Sequence, residues 1–334
     1  MKISIVVPTF NRAMFLKKCL ESILKQQLLP YEVIVVDNAL HREAEAVVDN
    51  LRLDFDSSFI KITYIRNKEN SGAIARNIGA SEATGDLVAF LDDDVILDSN
   101  YYSEIIKVFL EFPDALGVHG HDKESFNFAV TKLENSLIAR LINSWEKFFT
   151  VSSYFEHRQS RVLPSLCVTN PHPSTFDRNI QSEWVSTCAG VFSKKVFDNH
   201  AFDSKFKKYS WNEYVDFSYS IFCENPNSLF VTPHATYINV YTETGRLQPK
   251  ELIYMAEVYD LYIFIKRFDM SISNILIYTW SKFGRMIYNL VRMLIRYPSD
   301  PLFLLYQLHA PFYVLMHISK IKKGNLEFFN KTLS

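Results

Sequence analysis

Over the first hundred residues, short apolar runs alternate with stretches in which apolar residues recur at helical spacing. Ile3–Val7, Glu32–Val36, Ile60–Ile65 and Leu87–Leu91 are too short and too rich in β-branched residues for helices, and they predict strands. Between the first two, Phe15, Leu16, Cys19, Leu20, Ile23 and Leu24 predict a helix, and Ala73–Ala83 predicts another that stops at Thr84-Gly85. Strand, helix, strand implies an α/β fold whose parallel sheet is covered on both faces. Ligands of such sheets bind beyond the carboxyl ends of the strands. Pro8–Arg12, Asp37–Leu40, Asn67–Arg76 and Asp92–Asp94 are therefore the loops to inspect, and each carries polar groups that a connector does not need.

The pattern changes near Gly245. Leu252 to Ile321 is rich in Leu, Ile, Tyr, Phe and Met, with recurrent Lys and Arg. Ile275–Ile295 puts apolar residues on one side and Lys282, Arg285, Arg292 and Arg296 near the other, the pattern of a basic amphipathic helix. Leu302–Ile318 has no formally charged residue, but its 17 residues are interrupted by Pro311, so it is marginal as a membrane span. Two readings follow: an interfacial membrane role, or a helical subdomain that packs on the rest and forms a homo-oligomer. The division expected is 1–240, with halves at 1–98 and 99–240, followed by a helical region at 241–334.

Composition narrows the class without changing this picture. A chain of 334 residues, 48% hydrophobic and 22% charged, is ordinary for a folded enzyme. The formal net charge of −1 argues against nucleic acid as the main partner. Cys19, Cys167, Cys188 and Cys223 have no metal-type spacing and suit a reducing compartment. Met1-Lys2 runs straight into a short strand, so no secretory leader is expected.

Asp92-Asp93-Asp94 carries the strongest chemical signal. Three like charges at the end of a buried strand repel one another and suit a site where a hard divalent cation binds. If the segment is extended, Asp92 and Asp94 share a face while Asp93 points elsewhere.

In order and spacing, five pieces resemble a family 2 glycosyltransferase of the inverting GT-A class. They are Val7-Pro8-Thr9-Phe10-Asn11-Arg12, Val33–Asn38, Asn70-Ser71-Gly72 running into Ala75-Arg76-Asn77-Ile78-Gly79, Gly85-Asp86, and Phe90–Asp94. The resemblance implies a GT-A (nucleotide-diphospho-sugar transferase, Rossmann-like) mixed sheet flanked by helices, with a C-terminal helical extension. Residues 1–98 would be the nucleotide-sugar-binding half and 99–240 the acceptor-binding half. Asp37 would accept from a base N–H such as a uracil imide; Pro8, Thr9, Asn11, Arg12, Asn70 and Gly72 would line the donor site. Arg76 would approach the diphosphate or fix the triplet carboxylates. Asp94 would take Mg²⁺ or Mn²⁺, with Asp92 and Asp93 at ribose or metal-bound groups.

Trp184–Phe197 resembles the family's small-residue strand beneath the acceptor, with Ala189 and Gly190 where a sugar approaches the backbone. Trp211 belongs to the same side. Tyr209–Phe217 is where the family keeps an acidic pair on the first turn of a helix. Here the second acid of that pair is Tyr214, which leaves Glu213 and Asp216 to compete for the base, Glu213 favoured. Many relatives place a histidine near Asn239, and His234 is offset from that position.

The expected activity is metal-assisted single displacement from a UDP- or dTDP-sugar to a hydroxyl of a glycan or lipid-linked acceptor. The expected location is cytoplasmic, peripheral on the inner face of the membrane. The alternatives are a non-catalytic sugar-nucleotide-binding subunit and a sugar-nucleotide nucleotidyltransferase. The latter calls for a Gly-rich phosphate loop that Pro8–Arg12 lacks.

Overall fold

The computed structural model describes residues 1–124, 137–150, 154–156, 158–240, 247–296 and 301–333. Its elements begin β1 (Ile3–Thr9), α1 (Ala13–Leu24), β2 (Glu32–Asp37), α2 (Glu43–Ser57), β3 (Lys61–Arg66), α3 (Gly72–Glu82) and β4 (Leu87–Phe90). They continue with β5 (Val95–Leu97), α4 (Tyr101–Glu111), β6 (Gly117–Asp122), α5 (Leu137–Phe149), β7 (Tyr154–Glu156) and β8 (Thr169–Pro171). Then come β9 (Ile180–Gln181), β10 (Val191–Ser193), α6 (Glu213–Glu224), β11 (Leu229–Asn239) and α7 (Pro249–Arg267). The last are α8 (Ile272–Arg296), α9 (Pro301–Met316), α10 (Ile318–Lys322) and α11 (Glu327–Asn330).

The chain divides into two compact units. The first holds a sheet in the order β3-β2-β1-β4-β10-β6-β11-β5, with β9 also on β11. β3, β2, β1 and β4 are mutually parallel, whereas β10 runs antiparallel to both its neighbours. The register sets Thr9 beside Asp37 and Asp37 beside Arg66, so the strand ends that carry donor-site candidates lie level. β5 returns antiparallel on β11, pairing Val95 with Asn239, and this leaves the acidic triplet in the link between β4 and β5. β2 and β4 are buried along their whole length and so on both faces, as a covered parallel sheet requires.

The four expected strands form, as do both expected helices. α3 starts one residue earlier than the apolar spacing predicts because Ser71 caps it, its Oγ accepting from the Ile74 amide at 3.2 Å. α2 was not foreseen. Its buried stripe of Ala44, Val48, Leu51 and Phe55 has helical spacing, diluted by acids at Glu43, Glu45, Asp49 and Asp54.

The second unit includes α5, β7, residues 161–170 and α7 onward. α7 is buried nearly all round, through Met255, Val258, Tyr259, Ile263 and Phe264, as expected of a helix at the centre of a bundle. On the basic side of α8, Lys282 and Arg285 face inward. Lys282 donates to the fully buried Asp260 at 2.8 Å and pairs with Glu257 at 3.1 Å, and Arg285 reaches Asp260 at 3.4 Å. A buried carboxylate needs paired cations, and that demand fixes the placement that the pattern left open. The Arg292 and Arg296 side chains lie outside the described residues, as do residues 241–246, where the helical region was expected to begin. Among the described residues no helix is long and apolar enough to cross a membrane.

Candidate active site

The site is assembled at the carboxyl ends of β1 and β4 and at the start of α6. Asn11 takes a left-handed conformation, φ 55°, which turns the chain out of β1. The Arg12 carbonyl then accepts from the Phe15 and Leu16 amides and opens α1, while the guanidinium reaches across to the triplet. Arg12 Nη1 donates to Asp94 at 2.8 Å and to Asp93 at 3.1 Å. Thr9 Oγ1 donates to the other oxygen of Asp93 at 2.7 Å.

The alternation expected of the triplet does not hold, because residues 92–95 form a turn in which the Val95 amide donates to the Asp92 carbonyl at 3.2 Å. Asp93 and Asp94 therefore share Arg12, and Asp92 goes the other way, accepting from Arg76 Nη2 at 2.7 Å. Main-chain bonds from Asp92 N to Cys188 O and from Val240 N to Asp94 O fix the turn on both sides.

Arg76 stands at the centre of the site. From α3 its Nη2 holds Asp92 and its Nη1 holds Glu213 Oε1, while Nε finds no partner. Glu213 is 4% exposed, and its Oε2 is buried without a hydrogen bond. Burial, aided by the nearby Asp92 charge and opposed by Arg76, pushes the Glu213 carboxyl up to about 7. Burial and the charges of Asp92 and Asp93 push Asp94 up to about 6. Burial likewise raises Asp93 against the pull of Arg12.

Gly72 makes room for the ion pair, since a Cβ there would sit 3.0 Å from Arg76 Nη1 and 3.5 Å from Glu213 Oε1. The loop before α6 is clamped to the start of α3: Lys208 N donates to Asn70 O at 2.7 Å, and Gly72 N donates to Lys208 O at 3.1 Å. Ser71 Oγ donates to Phe206 O at 2.6 Å, and the Ala73 amide donates to Ser210 Oγ at 3.3 Å. Lys208, Ser210 and Asn212 all have φ between 52° and 57°. Three non-glycine residues held in the left-handed region indicate a loop conformation imposed by its surroundings. Nothing in their residue types forecasts it, so sequence reasoning missed this loop.

Asp37 is fully buried and accepts from the Ala39 amide and from Tyr64 Oη, each at 2.8 Å. Burial raises its pKa despite these donors. Tyr64 was another omission, as was the Asn67–Asn38 side-chain bond of 2.7 Å below it. Pro8 pairs with Val36 in the sheet. Asp216, 1% exposed, lies in the same helical turn as Glu213. Trp211 is half-buried just before that helix, and Tyr214 packs on Trp184 with ring centroids 5.8 Å apart. His234 is exposed and lines a cavity of about 430 Å³ with Glu104, Lys107 and Glu111, away from the ion-pair chain.

Ala189 and Gly190 have a different reason for being small. Ala189 belongs to the core, and its carbonyl accepts from Tyr101 Oη at 2.5 Å. A Cβ on Gly190 would lie 2.1 Å from the Ser186 carbonyl oxygen and 2.7 Å from Val185 Cγ1, so the chain itself fills the space expected for a sugar. Gly190→Ala is accordingly expected to destabilise the fold by about 1–3 kcal/mol, read as a lower denaturant midpoint. An unchanged midpoint would mean that the strand yields freely there.

Asp92, Asp93, Asp94 and Glu213 share two guanidiniums, Arg12 and Arg76. That excess of negative charge fits a site completed by a cation. Among the described residues no group of three or more His, Cys, Asp or Glu is arranged to hold a metal alone. Mg²⁺ and Mn²⁺ in phosphate sites need only one or two carboxylates beside waters and phosphate oxygens. The donor set is therefore suited to an ion carried in with a diphosphate.

The family model described as glycosyl transferase family 2 matches residues 4–178. An uncharacterized glycosyltransferase of Bacillus subtilis, YwdF, is 40% identical over 108 residues, 32% of this chain and 38% of that protein. The GalNAc(5)-diNAcBac-PP-undecaprenol beta-1,3-glucosyltransferase of Campylobacter jejuni is 37% identical over 106 residues, 32% of this chain and 34% of that protein. The matched segment thus spans well under half the length of either relative. Among solved structures, GalNAc-T7 with UDP, GalNAc and Mn²⁺ superposes with a TM-score of 0.55 at 14% identity, over 90% of this chain and 59% of that one. The mannosyltransferase PcManGT from Pyrobaculum calidifontis, with GDP-Man and Mn²⁺, gives 0.54 at 12% identity, over 94% and 87%.

Proposed function

The chain belongs to glycosyl transferase family 2 and has the GT-A fold, and from that premise we propose an inverting, metal-assisted transfer from a UDP- or dTDP-sugar to a hydroxyl of a glycan or lipid-linked acceptor. The observation that carries it is Arg76, which ties Asp92 of the acidic triplet to Glu213 and leaves Glu213 Oε2 buried and unpartnered. Donor and acceptor chemistry are thereby joined through one side chain.

In this reading the base lies near Asp37 and Tyr64, and Asp94, with Asp92, would hold the divalent cation. A divalent ion held there would supply positive charge to offset the negative charge that grows on the departing diphosphate. Thr9 and Arg12 hold Asp93 and Asp94 in place, so the site does not need to reorganise during the reaction. Glu213 Oε2 takes the proton of the acceptor hydroxyl as that oxygen bonds to the anomeric carbon. The bond from that carbon to the phosphate oxygen breaks on the opposite face, and the nucleoside diphosphate leaves with the electron pair. Asp216 orients the start of α6. A lipid-linked acceptor also calls for peripheral attachment to a membrane.

The test measures free nucleoside diphosphate across a panel of nucleotide-sugars and acceptors with Mn²⁺. Donor-dependent release that needs an acceptor is the expected result. A donor that raises the melting temperature yet is never turned over would favour a binding subunit instead.

A further inference from the structure

α8 and α9 are built inside out for helices at a protein surface. On α8, Ile272, Leu276, Trp280, Phe283 and Val291 are 41–79% exposed, while Lys282 and Arg285 point inward to Asp260. On α9, Leu302, Leu305, Leu308, Phe312, Leu315 and Met316 are 41–69% exposed. Spaced at 3, 4 and 7, these six residues make one stripe along α9, opposite Ala310 and Val314, which are buried. No formally charged residue falls between Leu302 and Ile318. A contiguous stripe of large apolar side chains is unusual on a surface that meets only water.

The charges around the stripe indicate what covers it. Lys320, Lys322 and Lys323 follow α9 directly and are exposed, and the only acids between Lys266 and Lys323 are Asp269 and Asp300. In a two-fold dimer through this face, the next acid along the chain is Glu327, which Lys331 already approaches at 3.9 Å, so three lysines would find few acids to pair with. An anionic lipid surface supplies both an apolar phase and the countercharge.

We propose that the outward stripe of α9, with α8 beside it and the three lysines at its edge, lies on the surface of an anionic bilayer. This deepens the membrane association proposed above, on which it rests, by naming the face and the lipid charge. Lys282 and Arg285 of α8 take no part, because they are committed to Asp260 and Glu257.

The experiment is co-sedimentation of the full chain with vesicles of phosphatidylglycerol or of phosphatidylcholine. It compares wild type, Leu305→Glu with Phe312→Glu, and Lys320, Lys322 and Lys323 all changed to Gln. Wild type is expected to bind the anionic vesicles. The double variant is expected to bind them at least tenfold more weakly. The lysine variant is expected to bind about a hundredfold more weakly to anionic vesicles only. Both variants alter exposed positions, and unchanged circular dichroism together with unchanged nucleoside diphosphate release from the donor in the presence of a water-soluble acceptor confirms that each is folded.

Three results would overturn the proposal. Wild type that binds neither vesicle removes membrane association itself. Wild type that binds, with the double variant binding equally, keeps the association but rejects this face. A dimer seen by light scattering that the double variant dissolves, with no vesicle binding, makes the face a contact between copies.

Discussion

Glu213→Gln is expected to lower kcat by about a thousandfold, within the range that a positioned general base contributes. Glutamine keeps the size of the side chain and a carbonyl oxygen for Arg76, so donor binding should hardly change. The pH profile gives the sharper reading. A base works only when deprotonated, and the Glu213 carboxyl is pushed up to about 7, chiefly by burial. Wild-type kcat/KM should therefore rise with pH up to about 7 and then level off, and the residual rate of the variant should show no such rise. Asp216→Asn separates the two candidates: if it, rather than Glu213→Gln, abolishes the pH-dependent limb, the assignment is reversed.

Asp94→Asn is expected to reduce turnover by about 10²–10³-fold, the size of effect seen when one group that stabilises developing charge is removed. The substitution keeps the shape and a hydrogen-bond acceptor for Arg12 but deletes the charge that would hold a cation beside the diphosphate. Calorimetric titration with a nucleoside diphosphate isolates that role. In wild type, Mn²⁺ should tighten binding; in the variant the diphosphate should bind no better with Mn²⁺ than without it. Equal tightening in both proteins would place the cation elsewhere or dispense with it.

Much of the first ninety residues was legible because each signal there is local. β1 to β4 announce themselves by short β-branched runs, and α1 and α3 by apolar spacing. Asp92-Asp93-Asp94 stands out because no fold gains from three adjacent acids. α2 escaped because acids interrupt its buried stripe, and Tyr64 because a tyrosine in a strand is ordinary until its hydroxyl is seen on Asp37. The C-terminal helices show a pattern whose orientation the sequence left open. The sequence of α8 separates basic from apolar residues, yet which side faces inward depends on Asp260, a buried acid one helix earlier.

By itself, then, the sequence determined the α/β class and singled out the acids and arginines that the fold gathers at the carboxyl ends of β1 and β4. Periodicity and local charge repulsion are properties of neighbours along the chain, and they survive without coordinates. The tertiary structure alone decided how those groups are paired. It joined Arg12 to Asp93 and Asp94, and Arg76 to Asp92 and Glu213, across 81, 82, 16 and 137 residues of chain. It also decided that Gly190 serves packing and that α8 turns its apolar side outward. Pairing and burial are set by the approach of distant segments, and it is burial, through the desolvation of charge, that raises the Glu213 carboxyl to about 7.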